Sequence, residues 1–134
     1  MSEVSRDEVI RRYLVVYETL RRQYEEIYAA LIALQTAKAL INRLSSARGK
    51  DVRFPIGAGA YLKAKLHEEP KVLVDMGAGV SVEVSDEEAI KIFEEEIKKA
   101  QDILDKLESS IAAIQSKIYE IISAKEEKKE EKKE

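Results

Sequence analysis

The residue types that carry most enzyme chemistry are scarce in this chain. Its 134 residues include one histidine and no cysteine, which removes disulfides, thiolate metal sites and a cysteine nucleophile. His67 stands beside Glu68 and Glu69 between two β-patterned runs. With no second His or Cys to complete a ligand set, it reads as a solvated turn residue rather than a catalyst or metal ligand. Gly57-Ala58-Gly59 and Gly77-Ala78-Gly79 have the composition of phosphate cradles. Such cradles need a helix N-terminus to follow, however, and here strand-like residues follow, so both read as structural turns. The acidic clusters Asp86-Glu87-Glu88 and Glu94-Glu95-Glu96 lack the Gly-punctuated spacing of a calcium loop and read as solvated helix faces. No catalytic, cofactor-binding or metal-ligating set emerges, and the expectation is a protein that is not an enzyme.

The elements around these residues explain why an enclosed site is absent. Stepping alternately three and four residues from Ile90 gives Ile90, Phe93, Ile97, Ala100, Leu104, Leu107, Ile111, Ile114, Ile118 and Ile121, with no polar residue on the seam. Lys and Glu dominate the outer face, which is the pattern of a coiled coil. Ser85-Asp86-Glu87-Glu88 forms a capping box at its start, with acids where the helix dipole favours them. The same stepping runs through Ile10, Tyr13, Tyr17, Leu20, Tyr24, Ile27, Leu31, Leu34, Lys38, Ile41 and Ser45. Ser5-Arg6-Asp7-Glu8 reads as its capping box and Gly49 as its left-handed stop. Lys38 and Ser45 loosen this seam, and Leu40 and Leu44 predict that the buried stripe shifts there. Each helix would be roughly 60 Å long. Folding back antiparallel, the two would meet with residue numbers adding to about 131, Leu20 near Ile111, Leu34 near Ile97 and Ile41 near Ile90.

Between the helices, alternating β-branched runs broken by the two Gly-Ala-Gly phrases predict four short strands in two hairpins. Pro55 cannot donate to a ladder and belongs at an edge or strand end. Hairpins this small leave edges and an apolar face to cover, so Phe54, Ile56, Leu62, Leu66, Val72, Val74, Val80 and Val82 are candidate oligomerisation residues. The fold class is therefore α+β, a long antiparallel two-helix coiled coil joined by two β-hairpins. The chain forms a single unit: residues 5–48 as the first helix, 50–84 as the hairpins, 86–126 as the second helix and 127–134 as a charged, solubilising tail. With 37% charged and 45% hydrophobic residues, it is too charged for a large core and too apolar for disorder. A net charge of -3 argues against bulk attraction to nucleic acid. No run reaches the roughly 20 apolar residues of a membrane span and no signal peptide opens the chain, which points to a cytoplasmic protein.

Apolar surface remains that the seam does not need. Val9, Leu14, Val15 and Val16 join the seam residues Ile10, Tyr13 and Tyr17 at one end of the first helix, while Tyr119 and Ile122 flank Ile118 and Ile121 on the second. One reading is a stripe widened for a third helix. The other is that Val9, Ile10, Tyr13, Leu14, Val16, Tyr17, Ile118, Tyr119, Ile121 and Ile122 form an apolar binding tip, suited to non-native chains that share exposed hydrophobicity but no sequence.

The order helix, paired hairpins, helix, together with Phe54-Pro55-Ile56-Gly57-Ala58-Gly59-Ala60-Tyr61-Leu62-Lys63 and Val74-Asp75-Met76-Gly77-Ala78-Gly79-Val80-Ser81-Val82-Glu83, closely resembles the α class of archaeal prefoldin subunits. The resemblance covers nearly the whole chain, and two hairpin phrases rather than one point to the α class. It implies a hexamer with β-class subunits whose hairpins form an intersubunit β-barrel. It further implies a cofactor-free, ATP-independent holding chaperone that takes unfolded proteins at its coiled-coil tips and passes them to a group II chaperonin. The alternative it carries is a filament, as α-like γ-prefoldins assemble from copies of themselves.

Overall fold

A computed structural model describes residues 2–133; the side chains of Lys125 and residues 128–133 lie outside what it describes. Six elements follow one another: α1 (Glu3–Ser45), β1 (Asp51–Gly57), β2 (Ala60–Lys65), β3 (Lys71–Gly77), β4 (Val80–Ser85) and α2 (Asp86–Lys133). α2 takes in most of the run set apart by sequence as a charged tail, and Glu134 lies outside the described residues. The chain divides into two compact units, Met1–Ala30 with Ala100–Glu134, and Leu31–Lys99.

The first unit pairs the N-terminal part of α1 with the C-terminal part of α2. Tyr24 Oη donates to Glu108 Oε1 at 3.0 Å, and Gln115 Nε2 donates to Tyr17 Oη at 3.5 Å. Seven residues forward on α1 answer to seven back on α2, so the helices are antiparallel, and each pair of numbers adds to 132. In the second unit Lys38 Nζ reaches Glu94 Oε1 at 3.1 Å and Ser45 Oγ donates to Asp86 Oδ2 at 2.7 Å. The expected register is therefore met to within a residue. Every seam position of the three-four stepping is half-buried or buried in its own unit, with Leu31, Ala100 and Leu104 the most enclosed of the apolar ones. The stepping also reaches one position further back, to Arg6, which is buried.

Three local expectations change. Ser2, not Ser5, caps α1: Ser5 N–H donates to Ser2 Oγ at 3.2 Å, since the helix already begins at Glu3. The shift of the stripe near Lys38 takes in Leu44 but leaves Leu40 exposed. Leu40 instead lines a shallow outer groove with Ile32, Ala39 and Arg43. α1 ends at Ser45 rather than residue 48, and Gly49 serves the turn beyond it. Gly49 has φ +71° and donates its N–H to Leu66 O at 3.0 Å. A Cβ there would also stand 3.2 Å from Glu68 Cγ. At the other junction Ser85 caps α2 as read, accepting from Glu88 N–H at 3.2 Å.

The four strands form two separate antiparallel hairpins, β1 with β2 and β3 with β4. Each turns through two residues with positive φ, Ala58 (52°) with Gly59 (74°) and Ala78 (51°) with Gly79 (76°), the geometry whose twist matches that of paired strands. Each also carries one extra residue before the turn, Ile56 in β1 and Met76 in β3. Pro55, whose lost donor β1 tolerates at an edge, pairs with Tyr61.

Candidate interaction surfaces

The first unit carries an apolar groove between its two helices, lined by Leu14 and Tyr17 from α1 and by Gln115, Ile118, Tyr119 and Ile122 from α2. The α2 residues recur at i, i+3, i+4 and i+7, which places them on one side of the seam. Leu14, Tyr119 and Ile122 are exposed, Tyr119 at 73%. Side chains this apolar on solvent mark a contact surface when they gather. No charged residue lines the groove; one end is bordered by Arg21, Tyr24, Glu25 and Glu108 around the same Tyr17 and Gln115. The Arg21 guanidinium lies over the Tyr17 ring, 5.9 Å from its centroid, which holds that ring at the groove wall. Tyr24 closes the rim, and its hydrogen bond to Glu108 pushes its phenol pKa up.

Of the ten tip residues expected from sequence, five meet in the groove: Leu14, Tyr17, Ile118, Tyr119 and Ile122. Ile10, Tyr13 and Ile121 are half-buried in the seam, and Val9 is half-buried as well. Val16 is exposed, together with Val15, but lines no part of the groove. Gln115, the groove's polar member, carries no signal by type; its spacing of three from Ile118 and four from Tyr119 is the clue.

The hairpins present a second surface. On one face of the first, Val52 pairs with Ala64 and Phe54 with Leu62; on one face of the second, Val72 pairs with Val84 and Val74 with Val82. Phe54, Leu62 and Val82 are exposed, and Val72 and Val74 half-buried. Val80 and the extra residue Ile56 are exposed beside the turns. Leu66 lies past the end of β2, half-buried, its N–H donating to Lys50 O at 3.0 Å.

At the base of the hairpins the acid cluster of α2 departs from the solvated face that the sequence predicts. Glu87 and Glu88 are exposed, but Asp86 is only 6% exposed. It takes an ion pair from Arg48, a hydrogen bond from Ser45 Oγ and one from Glu87 N–H at 2.9 Å. Ser45 Oγ also lies 2.9 Å from Ile41 O, but its single proton is best spent on the charged carboxylate. Arg48 first, then Ser45, hold the Asp86 carboxyl at a pKa of about 2. His67 is exposed, and among the described residues no three His, Asp or Glu side chains are placed to hold a metal ion. No helix among them is long and apolar enough to cross a membrane.

Comparison with known proteins places these surfaces in context. A family profile described as prefoldin subunit matches residues 13–131. Prefoldin subunit alpha 2 of Methanocaldococcus jannaschii is 33% identical over 126 residues, covering 93% of this chain and 86% of that protein. A putative prefoldin subunit alpha of Aquifex aeolicus is 32% identical over 91% of this chain and 81% of its own length. A cryo-EM structure of filamentous prefoldin from Methanocaldococcus jannaschii superposes with a TM-score of 0.70 at 33% identity, covering 88% of this chain and 98% of that one.

Proposed function

The chain belongs to the prefoldin family of chaperones, and on that premise we propose that it is a holding-chaperone subunit that captures unfolded proteins in the apolar groove of its first unit. The observation that carries this reading is the groove itself. Leu14, Tyr119 and Ile122 keep apolar area in solvent although the seam is already filled by Tyr17, Ile118 and their neighbours. Lacking charged lining, the groove selects apolar character rather than sequence. Each groove binds weakly, and several tethered to one assembly raise one another's effective concentration. Capture of this kind uses no nucleotide, and release is to a group II chaperonin.

Assembly runs through the hairpins, whose apolar faces close into an intersubunit β-barrel, with β-class prefoldin subunits or with copies of this chain. The second arrangement, a filament, is favoured by the likeness to a filamentous prefoldin. A photo-cross-linking residue installed in place of Tyr119 should capture an unfolded client, while the same residue in place of Leu40 should capture far less. Equal capture at both positions would remove the groove from the account.

A further inference from the structure

Resting on the reading that the groove of the first unit captures clients, we infer that it takes them as amphipathic helices and not as extended strands. A client segment of about four turns lies between α1 and α2 as a third helix. Hydrogen bonding decides between the two forms. Both walls of the groove are α-helical, so the N–H and C=O groups along them are spent on their own i to i−4 bonds. An extended segment relies on backbone partners of the kind a sheet edge supplies. The polar side-chain groups on these walls are the Tyr17 and Tyr119 hydroxyls and the Gln115 amide. Tyr17 Oη already accepts from Gln115 Nε2 at 3.5 Å and from Arg21 Nη1 at 3.4 Å. Backbone groups of a strand turned toward such walls lose water and gain no partner. A helix satisfies its own backbone and presents only side chains.

Shape and charge point the same way. The α2 wall steps through Gln115, Ile118, Tyr119 and Ile122, a spacing that apolar side chains at the same intervals on a neighbouring helix can interleave. Past Tyr17 and Gln115 the depression continues over the small Ala112 to Glu108, about 21 Å from Ile122 along α2. Glu108 accepts from Tyr24 Oη at 3.0 Å and makes no ion pair among the described residues. Glu25, on the opposite wall, has its cation in Arg21 at 3.8 Å. The unneutralised carboxylate of Glu108 suits the end of a helix whose first N–H groups are free and whose dipole is positive. The client helix therefore lies parallel to α2, its N-terminus at Glu108 and its apolar stripe running toward Ile122.

Fluorescence anisotropy of labelled, N-acetylated peptides of about 14 residues, titrated with the purified full chain, tests this. The first peptide carries leucine at i, i+3, i+4 and i+7 and alanine on its far face; the second differs only in two far-face alanines replaced by glycine. Both offer the same apolar contacts, but glycine opposes the helix, so the second should bind at least tenfold more weakly. The first should gain helical circular dichroism on binding, and Glu108→Gln should weaken it about threefold. Equal affinity for the two peptides, both lost in Leu14→Ser/Tyr119→Ser/Ile122→Gln, overturns the helical client and leaves the groove as the capture site. Failure of the wild type to bind either peptide while it still suppresses aggregation of an unfolded protein overturns the helical client too. Undiminished binding of the first peptide by the triple variant removes the groove itself and the parent reading with it. Unchanged binding by Glu108→Gln overturns the orientation.

Discussion

Asp86 shows how much one side chain settles where helix, turn and hairpin meet. A carboxylate so enclosed would cost heavily if unpaired, yet it receives Arg48, Ser45 and a backbone N–H. Its pKa of about 2 lies below the ordinary 3.8. A depressed carboxyl contributes stability that is complete above the unfolded-state value and is lost as pH falls through the folded one. Asp86→Asn should therefore lower the melting temperature at neutral pH, and its gap to the wild type should narrow below about pH 4 and close near pH 2. A gap independent of pH would show that the ion pair carries none of this stability. None of the cluster was legible in sequence. Ser45 reads there as a polar flaw in a seam and Asp86 as one solvated acid of three, because only the antiparallel register brings together groups some 40 residues apart. The tip was half legible for a related reason: residue type names the apolar candidates, but which of them line one groove depends on the side of the seam each occupies.

The elements were largely written in the spacing of residues. Every position on the three-four stepping is half-buried or buried on both helices, since a two-helix seam imposes one dominant repeat. The caps were harder, because Ser2 and Ser5 both suit an N-cap and the helix starts where the first hydrogen bonds close. In the hairpins the Gly-Ala-Gly phrases located both turns, but not the strain within them. Ala58 and Ala78 sit at φ near +50°, a region that L-residues with a Cβ enter at a cost of roughly 1 kcal/mol and that Asn tolerates better. Ala58→Asn with Ala78→Asn should thus raise the midpoint of chemical denaturation, the unfolding free energy gaining about 0.5 kcal/mol for each turn. A lowered midpoint would mean that the two alanines are held there by contacts outside the turn.

At the scale of the whole molecule, the proposed function assigns folding and capture to different residues of the same helices. The seam holds α1 to α2 through positions such as Leu104, buried in the first unit, while Leu14, Tyr119 and Ile122 in that unit stay in solvent. Chain topology was legible because two heptad stretches around two hairpin phrases admit few other arrangements. The most direct measurement is suppression of aggregation of a chemically unfolded protein by Leu14→Ser/Tyr119→Ser/Ile122→Gln compared with the wild type. Each of these exposed positions should tolerate its change within about 0.5 kcal/mol, and the assembly should keep its native mass. Suppression should fall several-fold with the fold intact; undiminished suppression by the folded, assembled variant would mean that clients bind elsewhere than the groove.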